Sequence, residues 1–192
     1  MAGVTLLDVL EGPVLEAGPR LLGATFTHGG VRVRLTEVEA YDGAQDPGSH
    51  AYNGRTDRNA VMFGLPGHLY VYFTYGMHYC CNVSCGPEGE ASAILLRAGE
   101  VVAGVETARG RRPGSSDRDL ARGPGRLCRA MGIDRRDNGL ELINRIELDT
   151  SPLQVSTGPR VGLRLAAERP WRFWVTGDRT VSRYVPAKAR KA

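Results

Sequence analysis

Apolar and polar positions along VRVRLTEVEAY (residues 31–41) alternate with a period of two, which predicts a long half-buried strand. Upstream, VLEAGPRLL (14–22) has the spacing of a short helix, limited in length by Pro19. Residues 42–67 lose periodicity and gather Pro47, Gly48, Gly54, Gly64, Pro66 and Gly67, which predicts a long structured loop of the kind that usually carries function. HLYVYFTY and YCCNVSC then predict two strands joined at Tyr75-Gly76-Met77-His78, and ASAILLRA a further apolar strand. GEVVAGVETARG predicts a helix, and Gly123-Pro124-Gly125 precedes a second one in RLCRAMGI. Short strands are expected in ELINRIELD, RVGLRLA and WRFWVTG. Helices set apart from hairpin-connected strands predict an α+β fold: one domain with a curved, mainly antiparallel β-sheet and flanking helices. Residues 1–186 are expected to form that domain and 187–192 a basic tail.

Charge changes this picture more than composition does. At 42% hydrophobic and 24% charged residues, the chain reads as an ordinary globular domain. No apolar run is long enough to span a bilayer, and MAGVTLLDVLEG lacks the basic start of a secretory signal. The net charge of +4 is unevenly spread, however. Residues 1–108 carry six arginines against twelve acids, whereas 109–136 carry nine arginines against three aspartates. That concentration, with Arg111 and Arg112 at its start, is the footprint of a polyanion-binding face; its plain alternative is a solvated loop. Cys80, Cys81, Cys85 and Cys128 suit reduced thiols in the cytosol better than a disulfide framework. His78 and the cysteines superficially suggest zinc, but adjacent cysteines on a strand point to opposite faces and no CxxC pair exists, so no metal is expected.

The chemistry concentrates on two strands. Glu37, Glu39 and Tyr41 share one strand face, and a face with two carboxylates either meets water or lines a site. Six of the thirteen aromatics lie between Phe63 and Tyr79, with Tyr70 and Tyr72 on one face of their strand. They read either as a tyrosine-rich core or as a platform on which a base can stack. Tyr75 falls where the chain must turn, which favours exposure and suits a wedge into a base stack.

The blocks TEVEAYDG, DPGSHAYNGRTDRNAVMFG, PGHLYVYFTYGMHYCCNVSCGPEG, AILLRAGE, RGPGRLCRAMGID and PWRFWVTG resemble, in order and spacing, the mammalian-type alkyladenine (3-methyladenine) DNA glycosylases. The resemblance runs from about Leu15 to about Arg183. It implies that Glu39 is the base that deprotonates the attacking water and that Arg97 helps hold that water. It implies further that Tyr41, His50 and Tyr72 wall the pocket for the flipped base, and that Asn82 crowds the exocyclic amino group of guanine. Tyr75 fills the gap left in the duplex, with Tyr70 and Met77 beside it at the DNA surface. The substrates implied are 3-methyladenine, 7-methylguanine, hypoxanthine and ethenoadenine in double-stranded DNA, excised without cofactor or metal. The protein is then expected to be a monomer with no membrane association, at the nucleoid in a bacterium or in the nucleus of a eukaryote. Gly48 stands where relatives usually have Ala, a change expected to loosen the loop that presents His50.

Elementary chemistry runs the same way. An oxocarbenium-like transition state needs a carboxylate beside it, cationic methylated purines stack well on tyrosines, and flipping costs least for a badly paired base. Residues 1–187 contain no lysine, so no side-chain amine is at hand for a Schiff base and water is the expected nucleophile. In isolation Glu39 reads as an exposed strand carboxylate, His50 as a structural loop histidine, Asn82 as a strand-end cap and Arg97 as a partner for Glu37 or Glu100. A metal-dependent nuclease or zinc deaminase and a non-catalytic lesion-binding module are the rival functions. The first lacks the deaminase signature, and the second is disfavoured by the presence of both Glu39 and Arg97.

Overall fold

The computed structural model describes residues 3–187, so most of the basic tail lies outside the described residues. The N-terminus forms two short helices, α1 (Leu6–Leu10) and α2 (Val14–Arg20). The first was not expected; a capping box between Thr5 and Asp8 starts it. The strands are β1 (Thr25–His28), β2 (Val31–Tyr41), β3 (Leu69–Thr74), β4 (His78–Cys85) and β5 (Ser92–Ala103). After them come α3 (Val105–Arg111), β6 (Ala121–Arg122), α4 (Pro124–Met131), β7 (Ile146–Glu147), β8 (Val155–Gly158) and β9 (Arg172–Val175). Among the described residues, all nine strands join one antiparallel sheet whose central path is β3-β4-β5-β2-β1-β7, giving the α+β architecture read from the sequence.

Several local expectations are corrected. Residues 99–103 continue β5 and are not helix, because Arg32, Val33 and Arg34 of β2 offer them a ladder and Val101 and Val102 are β-branched. Only after Gly104, at φ +71°, does the chain turn into α3. The helix α4 starts at Pro124, two residues earlier than expected, with Pro in the first turn where its missing N–H costs nothing. RVGLRLA is not a strand: Gly162 and Ala166 both have positive φ, and the segment is tied down by side-chain contacts instead. ELINRIELD keeps only the two residues of β7 plus an isolated bridge between His68 and Glu141.

The decisive detail lies in β2. Val31, Val33 and Leu35 point into the main core beneath α1, α2 and α4. Continued strictly, that period would carry Glu37 and Glu39 into the same core. Instead the ladder to β5 pairs Leu35 with Gly99, Glu37 with Ala98 and Val38 with Leu96, leaving Thr36 and Arg97 as extra residues at adjoining bulges. The bulge at Thr36 flips the phase. Val38 and Ala40 take over the core positions, while Glu37, Glu39 and Tyr41 turn to the opposite face. Gly99 belongs to the same irregularity: a Cβ there would lie 2.3 Å from Val33 and 2.4 Å from the Arg34 carbonyl.

Candidate active site

The sheet face opposite the main core carries one row of aligned residues. Tyr70 opposes Asn82, Asn82 opposes Leu95, Leu95 opposes Glu39 and Glu39 opposes Arg172, so a single line crosses five strands. The long loop 42–67 and the 158–163 segment fold over this row. Between them lies a cavity of about 640 Å³, within the roughly 300–1,000 Å³ usual for small-molecule sites. Its walls include Tyr41, His50, Tyr70, Tyr72, Asn82 and Arg97, and its rim reaches Tyr75.

Glu39 is fully buried behind this wall. Its Oε2 accepts from the Tyr41 hydroxyl at 2.8 Å, and its Oε1 accepts from the Val161 backbone N–H at 2.7 Å. Arg97 Nη1 lies 3.3 Å from Oε1. Arg97 therefore pairs with Glu39 as well as Glu37, and not with Glu100. Burial opposes the Arg97 charge, but Glu39 and Glu37 together hold its pKa above the ordinary value. Val161 was missed in the sequence, since a backbone donor leaves no residue-type signal. Only its place beside buried Arg160 reveals it.

His50 is presented by a loop pinned from within. Asn59 donates to the carbonyls of His50 at 2.9 Å and Gly54 at 3.0 Å, and its Oδ1 accepts from Thr56 N–H at 2.7 Å. The His50 Nδ1 is 3.1 Å from the Tyr70 hydroxyl, and its ring meets Tyr72 edge-on at 4.6 Å between centroids. Burial first, then the Arg58 charge, push His50 below the ordinary histidine value, so it is a neutral imidazole at pH 7. Burial likewise keeps Tyr41 and Tyr72 protonated. The other end of the loop is clamped: Asp46 accepts both terminal nitrogens of fully buried Arg160, whose guanidinium lies 4.6 Å from the Tyr41 ring centroid. Gly48 is part of this clamp and does not loosen it. A Cβ there would sit 2.8 Å from Leu163 and 2.9 Å from Arg160, so glycine permits the close approach. Asn82 is buried in the wall and donates to the Tyr70 carbonyl at 3.2 Å.

The β3–β4 hairpin carries Tyr75 and Met77 at its tip, 83% and 68% exposed. Tyr75 and Gly76 both have positive φ (52° and 65°), the backbone of a type I′ turn, closed by Met77 N–H to the Thr74 carbonyl. A tyrosine in that region is strained, and the strain holds an aromatic out in solvent beside the cavity. Of the two arginines singled out in the basic segment, Arg112 lines the cavity together with Arg122, Arg126 and Arg129. Burial, followed by the like charges of Arg126 and Arg129, lowers its pKa. Arg111 has another employment: it donates to the carbonyls of Gly29 at 2.7 Å and Ala130 at 3.0 Å, binding the β1–β2 turn to α4. The four cysteines are free and buried; Cys81 and Cys128 sit in the core, and burial pushes Cys80 up to about 11.

A buried carboxylate set behind a wall of tyrosines, beside an arginine-rimmed cleft and an exposed aromatic tip, makes this cavity the candidate active site. Residues 8–179 match the family model described as methylpurine-DNA glycosylase (MPG), and the chain belongs to that family. It is thus a DNA glycosylase, a hydrolase of base excision repair. It is 50% identical to a Frankia casuarinae protein carrying the name 3-methyladenine DNA glycosylase, over 92% of this chain and 91% of that one. Proteins carrying the same name in Streptomyces avermitilis and Nocardia farcinica are 52% and 51% identical, over 90% and 96% of this chain and 87% and 92% of theirs.

Proposed function

We propose that the protein flips alkylated or deaminated purines out of duplex DNA into the cavity and hydrolyses the N-glycosidic bond with a water activated by Glu39. The observation that carries this reading is the seating of Glu39. A carboxylate has about four acceptor sites. Tyr41 and Val161 take two, and Arg97 stands 3.3 Å off as an ion-pair partner, which leaves capacity for a water donor; all three residues also line the cavity. Deprotonation of that water by Glu39 accompanies departure of the base, and the carboxylate stabilises the positive charge growing on the sugar. Tyr41, Tyr72 and the neutral His50 enclose the base, and Asn82 crowds an exocyclic amino group at its edge. The substrates proposed are 3-methyladenine, 7-methylguanine, hypoxanthine and ethenoadenine. The enzyme acts as a monomer and leaves an abasic site without cutting the strand. Single-turnover excision over duplexes carrying each lesion is the test: release of free base from at least one of them, with the strand left intact until alkali treatment, supports the reading. No release from any, or strand cleavage without alkali, would oppose it.

DNA engagement divides between the hairpin tip and the arginine rim. Tyr75→Ser should weaken binding to a lesion duplex by about 1–3 kcal/mol, the scale of one aromatic stack. Because Tyr75 is solvent-exposed, the melting temperature should stay unchanged; unchanged affinity would remove the wedge. Arg112→Gln should weaken damaged and undamaged duplex alike and flatten the slope of log K against log salt by about 0.9 per lost phosphate contact. Arg111→Gln, which breaks two carbonyl contacts, should instead lower thermal stability and leave that slope alone. The opposite assignment of the two effects would move the DNA path to the α3 side.

A further inference from the structure

Glu37 lies outside the roles discussed so far, yet two arginines and Ser182 converge on it. It is fully buried. Its Oε1 accepts from Arg97 Nε at 2.8 Å, from Arg172 Nε at 2.8 Å and from the Ser182 hydroxyl at 3.0 Å. Its Oε2 accepts from the Ser182 backbone N–H at 2.6 Å. Burial works against the charge, but Arg97, Arg172 and Ser182 outweigh it and keep Glu37 ionised. Glu37, Glu39, Arg97 and Arg172 therefore form a buried cluster of two carboxyl and two guanidinium groups.

The geometry within the cluster is asymmetric. Arg97 makes its close contact with Glu37, whereas its Nη1 reaches Glu39 only at 3.3 Å, long for a charge-assisted bond of about 2.7–2.9 Å. An arginine fork facing a lone carboxylate ordinarily pairs with it bidentately. Here Nε is committed to Glu37, and Nη2 lies 3.4 Å from the Ser182 hydroxyl. One N–H edge is left for Glu39. We propose that Glu37 is a positioning residue for base excision: it holds the Arg97 guanidinium off Glu39, so that Arg97 lines the cavity without closing a bidentate pair on the base. The double bulge makes this possible, since Thr36 turns Glu37 out of the core and Arg97 occupies the bulged position on β5. The segment 180–182 thereby becomes part of the active-site support, because the Ser182 backbone closes over Glu37. This inference rests on the assignment of Glu39 and Arg97 to catalysis.

Glu37→Gln keeps the shape but weakens the hold on Arg97, which then swings to Glu39 as the remaining carboxylate. Single-turnover excision of hypoxanthine should fall about tenfold, with affinity for a duplex carrying a tetrahydrofuran abasic analogue changed less than about twofold. The coupling with Arg97 is the discriminating readout. Arg97→Lys alone should slow excision, and adding Glu37→Gln to it should cost less than about a further twofold, because the arginine that Glu37 restrains is gone. Losses that multiply would make Glu37 an independent structural support and overturn the proposal, as would wild-type excision by Glu37→Gln while Arg97→Lys is impaired. Wild-type excision by Arg97→Lys would instead fail the underlying assignment of Arg97. Should Glu37→Gln not fold, Ser182→Ala removes the hydroxyl contacts to Glu37 and Arg97 and keeps the backbone one. Excision should then drop about two- to threefold, an effect absent in the Arg97→Lys background; full activity of Ser182→Ala would reject the proposal.

Discussion

Glu39→Gln is expected to slow single-turnover excision by at least ~10²-fold while leaving lesion-duplex affinity near wild type and the chain folded, with some loss of melting temperature because buried Arg97 loses a counter-charge. The expectation of an intact fold comes from how the isostere fits. Its carbonyl oxygen can keep the bond from the Val161 N–H and still face Arg97 Nη1, and its amide can donate to the Tyr41 hydroxyl, which accepts as readily as it donates. What the amide cannot do is take a proton from water. Tyr41→Phe offers a graded comparison, since it removes one partner of the carboxylate while leaving the base itself, and should cost far less than the loss of Glu39. Excision by Glu39→Gln at a rate within a fewfold of wild type would reassign the base.

Much of this candidate site is legible in the sequence. Alternation placed Glu37, Glu39 and Tyr41 on one strand face, and the hairpin break at Tyr75-Gly76 placed an aromatic at an exposed tip. Six ordered blocks then pointed to the family, which the match over residues 8–179 establishes. Read as one uninterrupted alternation, the strand hides that this face is not the face of Val31, Val33 and Leu35; the move of the apolar positions to Val38 and Ala40 marks the one-residue bulge at Thr36. Helix-like spacing in 99–110 was overridden by the open edge of β2, a tertiary opportunity invisible in a local window. Arg111 and Arg112 are neighbours of identical chemistry, and only the surroundings separate a residue that ties the β1–β2 turn to α4 from one that donates to Ser115 and the Asp119 carbonyl and lines the cavity. The Val161 N–H belongs to no motif at all, because any residue but proline could supply it.

The largest stability effect should come from Asp46→Ala, which breaks the clamp between the long loop and the segment carrying Val161. Arg160 has almost no exposed surface; among the described residues its Nε lacks a hydrogen-bond partner, and besides Asp46 its terminal nitrogens donate only to the Ala40 carbonyl at 2.9 Å. Removing the carboxylate leaves an uncompensated buried cation, a loss of about 3–5 kcal/mol. At about 2–4 °C per kcal/mol for a chain of this size, the melting temperature should fall by roughly 6–20 °C. Asp46→Asn should cost less, because an acceptor remains for one of the two arginine nitrogens. The informative comparison is the double replacement Asp46→Leu with Arg160→Met. Exchanging a buried ion pair for apolar groups of similar size is often neutral or stabilising, so much of the lost melting temperature should return. Excision should not return with it. Arg160 backs the Tyr41 ring at 4.6 Å and precedes the residue whose N–H holds Glu39, and a methionine reproduces neither its hydrogen bonds nor its planar stack. A melting curve for Asp46→Ala indistinguishable from wild type would show that the clamp carries no stability, and a double variant that regains full excision would show that it only stabilises the fold and does not organise the site.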